Sequence, residues 1–537
     1  MSVFSVHDLQ VHFGTVEAVR GVSFDVEAGK TLAIVGESGS GKSASLLGAA
    51  GLLPASAKVR GSVLYRGREI LGASPAVLRK IRGAEIGFIF QDPQSNLHPL
   101  KTIGDQIGEA ISAHRSIGKK EKRERVLALL HDVEISNPEK RLDDYPRHLS
   151  GGMRQRVMIA IAIALNPGLI IADEPTTALD VTVQASILDL LRRLQERHGT
   201  ALVFVSHDLA VVSDIADDVV VMRDGLVVER AAADAIYATP KHAYTRELLS
   251  AARLDGPRTY TQPPAVSASQ SLLDVDGLSR SFVAGQPVLE DVTFSIAKGE
   301  ILGLVGESGS GKSTIGRLIA GLDRPDDGSI ALSGTNYARA GRPTTLTAAA
   351  RRDIQVVFQD PYASLNPRRS VESILGDSFV IAGERDRTRL RQQVHQLLAE
   401  VELPEAIASR FPSQLSGGQR QRVAIARAIA SRPSLVVADE PVSALDITTQ
   451  AKIVELLRRL RDRMGISFLF ISHDLGVVGE LCDRIIVLEK GHIVEAGPTG
   501  RIFERAEHTY TKRLLASMPG SKRQPVNTVV KAVSYVG

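Results

Sequence analysis

Cysteine is almost missing from this chain of 537 residues. Cys482 stands alone, which excludes an intrachain disulfide, a Cys-x-x-Cys zinc site and a cysteine-ligated cluster. In the apolar stretch after His473 it reads as a small core residue. Long apolar runs are missing too. Segments such as Met158 to Leu165 fall far short of a bilayer's thickness, and Met1 to Gly14 lacks the charged-then-apolar pattern of an export signal. No one sign of charge dominates, with 65 basic against 61 acidic residues and a net charge of +4. The charged run Lys119 to Arg125 has no interleaved aromatics and reads as a solvated helix face, not a nucleic-acid arm. What remains is ordinary globular composition, 43% hydrophobic and 23% charged, over a length that allows two or more substantial cores. A soluble, cytoplasmic protein is expected.

Against that background one stretch stands out. Gly36-Glu37-Ser38-Gly39-Ser40-Gly41-Lys42-Ser43 fits the G-x-x-x-x-G-K-[ST] phosphate-loop pattern. Apolar Leu32 to Val35 reads as a buried strand feeding it, and Ser45 to Ala50 as the first turns of a helix leaving it. Glycines there let backbone N–H groups curl around phosphate oxygens, and the helix N-terminus adds its partial positive charge. Lys42 would reach the β- and γ-phosphates, and the Ser43 hydroxyl would ligate Mg²⁺. A single match is weak evidence, but the same eight residues recur at Gly306 to Ser313 after apolar Ile301 to Val305.

The recurrence runs through the whole chain. The loop lysines 42 and 312 lie 270 residues apart, and Gln91 and Gln359 lie 268 apart. The Ser-Gly-Gly blocks, the Asp-Glu pairs and the Ser-His-Asp triplets each repeat at an offset of 266. This is a tandem duplication of a unit of roughly 250 residues, much longer than a solenoid repeat. Each unit opens with alternating strands (Phe4 to Phe13, Val19 to Val26; Leu272 to Phe282, Val288 to Ile296). The phosphate loop, a strand ending in Phe-Gln-Asp-Pro and a polar helical region follow. Last come Leu-Ser-Gly-Gly opening a helix, a strand ending in Asp-Glu-Pro, a long amphipathic helix and a strand ending in Ser-His-Asp. Strands alternating with helices predict a parallel α/β core, and the strand-rich start an added antiparallel subdomain. Gly256 to Ser271 carries three prolines and reads as a linker able to span roughly 50 Å when extended.

Asp173-Glu174 and Asp439-Glu440 place paired carboxylates at the ends of buried strands. Neighbours on a strand point opposite ways, yet at the C-terminal edge of a parallel sheet both can reach a ligand. The aspartate would hold Mg²⁺ and the glutamate would polarise the attacking water. His207 and His473, each between Ser and Asp-Leu, would contact the γ-phosphate as neutral imidazoles. Ser150-Gly151-Gly152 and Ser416-Gly417-Gly418 suit plain helix caps. They also suit a second anion site, with each cap closing over the nucleotide held by the other unit.

Together these motifs resemble the ATP-binding cassette (ABC) superfamily over nearly the whole chain. The resemblance implies an α/β fold of two tandem ABC-type P-loop ATPase cassettes. Each would have a parallel-sheet core, an antiparallel β subdomain and a helical subdomain, followed by a short C-terminal extension. It implies ATP and Mg²⁺ as ligands. The nucleotide set is Gly36, Ser38, Gly39, Ser40, Gly41, Lys42, Ser43 and Ala44, with Gly306, Ser308, Gly309, Ser310, Gly311, Lys312, Ser313 and Thr314. Phe13 and Phe282 fall where the family keeps an adenine-stacking aromatic, and read otherwise as core residues. Ser150 to Gly152 and Ser416 to Gly418 match the signature. Gln91 and Gln359 match the Q-loop, which with Ser43, Asp173, Ser313 and Asp439 contacts the metal. Asp180 and Asp446 match the D-loop, and His207 and His473 the switch histidine. The signature positions differ, with Met153 in one half and Gln419 in the other.

A segment just past each unit, Pro240-Lys241-His242-Ala243-Tyr244-Thr245 and Glu507-His508-Thr509-Tyr510-Thr511, resembles the extension of ATPases from dipeptide, oligopeptide and nickel importers. So does Gln359-Asp-Pro-Tyr-Ala-Ser-Leu-Asn366-Pro367. The expected organisation is cassette 1–235, extension 236–255, linker 256–271, cassette 272–500, extension 501–518 and tail 519–537. The resemblance implies an internal pseudo-dimer working with two transmembrane permease subunits and a solute-binding protein. It would sit peripherally at the cytoplasmic face of the inner membrane and bind no nucleic acid. The rival reading is a tandem cassette ATPase acting on ribosomes or nucleic acid, which usually carries a long charged helical insertion where this chain has a short linker.

Overall fold

The computed structural model describes residues 2–252 except 178, and 271–520 except 284, 341–345 and 444. The expected linker, up to residue 270, and the tail from 521 onward lie outside the described residues.

Each unit is built on two sheets. The first is antiparallel, ordered Val16–Glu27, Ser2–Phe13, Ala57–Tyr65, Arg68–Glu69 in one half. Its counterpart runs Gln286–Ala297, Ser271–Val283, Asp327–Leu332, Thr335–Arg339. The second sheet has six strands, ordered Leu226–Ala232, Asp218–Arg223, Thr31–Val35, Ala201–Ser206, Leu169–Asp173, Ile86–Ile89. Its last five strands are parallel, and only the edge strand Leu226–Ala232 runs antiparallel. The other half repeats this with Ile301–Val305 at the equivalent place.

Burial on both faces explains the unbroken apolar strands. Leu32, Ile34, Ile171, Val203 and Val205 point into a core shared with the antiparallel sheet. Their neighbours Ala33, Val35, Ile170, Ala172 and Phe204 point the opposite way, into a core shared with the helices. Period-two alternation with apolar residues at both phases is the mark of a covered parallel sheet. The helical part of the first unit packs Ile103–Ser112, Lys119–Asp132 and Gly151–Ile163 through Ile107, Ile111, Leu130 and Val157. Fully burying a side chain of this size contributes about 1.5–3 kcal/mol. Lys119 to Arg125 forms the start of the second of these helices, mostly exposed, as a solvated face should be. Cys482 is buried in the core of the second unit. No helix among the described residues is long and apolar enough to cross a membrane.

Candidate active site

The phosphate loop leaves Thr31–Val35 at the C-terminal edge of the parallel sheet. The helix after it begins at Lys42, three residues earlier than the sequence suggests. Gly41 is the reason: it adopts φ 95° as the helix cap, so Lys42 and Ser43 ride the first helical turn. Gly36 is required by close approach, since a Cβ there would lie 2.2 Å from the Met222 carbonyl oxygen. Lys42 is buried, and its Nζ donates to the carbonyls of Gly36 (2.7 Å) and Glu37 (2.9 Å). Lys312 does the same with Gly306 (2.7 Å) and Glu307 (2.8 Å). Burial pushes both ammonium groups below their ordinary pKa, against the pull of nearby carboxylates.

The two carboxylates of each pair meet different partners. Ser43 Oγ donates to Asp173 Oδ1 at 2.9 Å, and Ser313 Oγ to Asp439 Oδ1 at 3.0 Å. Glu174 and Glu440 follow the strands in the left-handed region, at φ 45° and 46°. For a non-glycine residue this is an uncommon conformation, and it takes each glutamate out of strand alternation. The Glu174 carboxylate thereby meets Gln91 Nε2 (2.8 Å), Thr177 Oγ1 (2.9 Å) and His207 Nδ1 (3.2 Å), all at Oε2. Glu440 meets Gln359 Nε2 at Oε2 (2.8 Å) and His473 Nδ1 at Oε1 (3.1 Å). Burial alone would raise the Glu174 carboxyl. The His207 bond and charge, Thr177 and Lys42 outweigh it and hold the group down at about 2. Burial lowers the His207 imidazole, but Glu174 raises it further, so the pair favours imidazolium where the sequence suggested a neutral ring.

Each loop also reaches the other unit. Glu37 Oε1 accepts from Thr448 Oγ1 at 2.6 Å, and Glu307 Oε1 from Thr182 Oγ1 at 2.9 Å. Each hydroxyl shares its single proton between that glutamate and Asp446 or Asp180, the caps of Ile447–Met464 and Val181–His198, at 2.8 and 2.9 Å. Ser150 and Ser416 cap Gly151–Ile163 and Gly417–Ile429, and make no hydrogen bond to the opposite loop among the described residues. The cap of the second half is reciprocal, with Gln419 Oε1 accepting from the Ser416 N–H at 3.1 Å; Met153 leaves that bond unmade. Phe13 packs partly against the antiparallel-sheet core. Phe282 is 56% exposed, under the Arg280 guanidinium at 5.0 Å from its centroid, so it is no core residue. Ala44 packs partly against the first half's sheet core, and Thr314 lies in the first turn of the equivalent helix, Lys312–Ile319.

Thr177, the loop glutamates and the threonines that cross to them were missed in the sequence. Thr177 and its counterpart Ser443 carry a weak signal, a hydroxyl three residues after each glutamate. The crossing pairs carry none.

Two phosphate loops, each beside an aspartate, a glutamate and a histidine and each touched by the opposite unit, define a paired P-loop ATPase. The ABC transporter family model matches residues 19–177 and 289–443. The model "Oligopeptide/dipeptide transporter, C-terminal region" matches 228–272 and 494–529. The chain is 43% identical over 542 residues to the Peptidoglycan transport ATP-binding protein YejF of Agrobacterium fabrum, covering 96% of each. It is 41% identical to the Glutathione import ATP-binding protein GsiA of Pectobacterium atrosepticum, covering 96% of this chain and 89% of that one. It is also 41% identical to the Oligopeptide transport ATP-binding protein OppD of Mycobacterium bovis, covering 96% and 98%. The chain belongs to the ABC transporter family, as an ATP-hydrolysing protein with two tandem cassettes. A ribosome- or nucleic-acid-directed role finds no support in these comparisons.

Proposed function

We propose that the chain powers import of a peptide-like solute through two separate permease subunits fed by a solute-binding protein. The observation that supports this is the pairing of two matches to the ABC transporter model with two matches to the oligopeptide/dipeptide transporter C-terminal region. The relatives are named for peptidoglycan, glutathione and oligopeptide, which share amide-linked amino acids. Cassettes 1–235 and 272–500, with extensions 236–255 and 501–518, would form the pseudo-dimer. The chain would sit peripherally against its permeases, at the cytoplasmic face.

In this reading Lys42 and the loop N–H groups bind the phosphates of one ATP, and Ser416 and Gly418 cap it from the other unit. Lys312 with Ser150 and Gly152 form the second site. Glu174 and Glu440 accept the proton of the attacking water, positioned by Gln91 and Gln359 and by His207 and His473. A hydroxyl bonded to one carboxylate, as in Ser43–Asp173 and Ser313–Asp439, is a hard-oxygen donor set that fits Mg²⁺. That ion would neutralise phosphate charge during hydrolysis. Phe13 and Phe282 would flank adenine.

Fractionating tagged protein tests the assignment. Recovery from membranes with two permeases is expected, with ATPase stimulated when a peptide-loaded binding protein docks. A coupling of roughly 1–3 kcal/mol corresponds to about 5- to 150-fold. Recovery on ribosomes, with no response to permeases, would sink it.

A further inference from the structure

The extensions touch the catalytic machinery directly. Tyr244, at the start of Ala243–Ala251, is 2% exposed, and its Oη accepts from the Glu37 N–H at 3.0 Å. Tyr510, in Thr509–Ala516, is 4% exposed and accepts from the Glu307 N–H at 2.9 Å. The extension is anchored so that the hydroxyl arrives in register. His242 Nδ1 accepts from the Tyr244 N–H at 3.2 Å, and the Glu229 carboxylate accepts from the N–H groups of Lys241 (2.8 Å) and His242 (3.0 Å). His508 and Glu495 repeat each of these bonds in the second half.

An arginine covers each ring, but from different places. Arg223, at the end of a sheet strand, lies 4.7 Å from the Tyr244 centroid. Arg513, from the extension itself, lies 5.1 Å from the Tyr510 centroid. The two halves reach one geometry by different side chains, which argues that the geometry itself is what matters.

Glu37 is therefore held at three points: its N–H by Tyr244, its carbonyl by Lys42, and its carboxylate by Thr448 of the opposite unit. Glu307 is held likewise by Tyr510, Lys312 and Thr182. We propose that Tyr244 and Tyr510 are positioning residues for ATP hydrolysis: each extension sets its phosphate loop so that the loop glutamate engages the opposite cassette. The extension is then a working part of the ATP site rather than an appendage behind it. This rests on reading 36–43 and 306–313 as phosphate loops.

The test uses the full chain and its own ATPase. Tyr244→Phe keeps the buried ring under Arg223 and removes only the accepting oxygen. A rise of about 2- to 12-fold in KM for ATP is expected, the worth of one such bond, with a cooperative unfolding transition retained and Tm lowered by no more than a few degrees. Thr448→Val should produce a loss of its own in kcat/KM. The two together should lose no more than the larger single loss, because both act through Glu37. Amide exchange gives a second readout, with the Glu37 and Glu307 N–H groups protected in the unaltered chain and released by Tyr244→Phe and Tyr510→Phe respectively. Unchanged KM, a double loss equal to the product of the singles, or unprotected Glu37 and Glu307 amides would each overturn the proposal. Lys42→Ala with Lys312→Ala separates the two levels. Unaffected ATP binding there refutes the phosphate-loop reading, whereas lost binding there with unmoved Tyr244→Phe kinetics refutes only the tie to the extension.

Discussion

Substituting Glu174→Gln and Glu440→Gln together isolates the proton-accepting step from the binding of ATP. At Glu174 the donors Gln91 Nε2, Thr177 Oγ1 and His207 Nδ1 converge on one oxygen, Oε2. An amide oxygen placed there keeps all three partners, whereas at Glu440, with Gln359 on Oε2 and His473 on Oε1, it keeps one of the two. The amide nitrogen then takes the place of Oε1, and an amide nitrogen cannot accept a proton from water. The fold and the Lys42 hydrogen bonds should be untouched, because Lys42 Nζ donates to the carbonyls of Gly36 and Glu37 and, among the described residues, makes no hydrogen bond to Glu174.

General-base assistance is typically worth 10²- to 10⁴-fold, or about 3–5 kcal/mol of barrier. Phosphate release at saturating ATP should therefore fall by about a hundredfold or more in the double variant. Binding of a fluorescent ATP analogue should change by less than about threefold. Lys42→Ala with Lys312→Ala should invert the pattern, losing binding first. A doubly substituted protein that hydrolyses ATP at the wild-type rate would remove both glutamates from the mechanism.

Three further outcomes are expected. Cysteines placed by Ser40→Cys and Gly418→Cys should crosslink better with ATP than without; equal crosslinking in both states, or preference for Gly152→Cys, would refute the crossed sites. Thr177 donates to the Glu174 carboxylate, whereas Ser443 Oγ donates to the Glu440 backbone carbonyl at 3.2 Å. Thr177→Val should thus slow hydrolysis by roughly 3- to 10-fold, about the worth of one hydrogen bond, and Ser443→Ala by much less; equal effects would count against the difference. Burial raises the Glu229 and Glu495 carboxyls, but the Thr245 and Thr511 hydroxyls and the backbone N–H groups they hold lower them further, below the ordinary range. With the folded pKa depressed, their stabilisation is full above the ordinary carboxylate value and fades as pH falls through the folded one. Protection factors for amide exchange at 241–252 and 507–518, corrected for the intrinsic pH dependence of exchange, should accordingly fall on acidification below about pH 4.5, and flat protection would contradict it.

The fold was largely legible because its strongest constraints are local. Leu32 to Val35 and Ile301 to Val305 are apolar at every position, as strands buried on both faces must be, and both became central strands. Duplication made the reading firmer, since a motif present twice at one offset supplies its own control. The antiparallel strands proved longer than their apolar cores suggested, Ser2–Phe13 against Phe4 to Phe13, because ladder bonds carry on past the last buried side chain.

The site was legible in its residues but not in its wiring. Alternation along a strand argues against Asp173 and Glu174 sharing a site, and only the left-handed turn at Glu174 dissolves the objection. No local pattern announces that turn; the Glu174 N–H bond to the Val205 carbonyl, from the neighbouring strand, fixes it. The crossing bonds are harder still. Thr448 and Glu37 lie 411 positions apart, and a threonine two residues past an aspartate reads only as part of a helix cap. Tyr244 is the instructive middle case. Its motif is visible twice in the sequence and reads there as a family mark. The position of its hydroxyl against the Glu37 N–H depends on Glu229, His242 and the strand ending at Arg223, parts that come together only when the chain has folded. A repeated motif thus shows that something is done twice, and the packing around it shows to which atom.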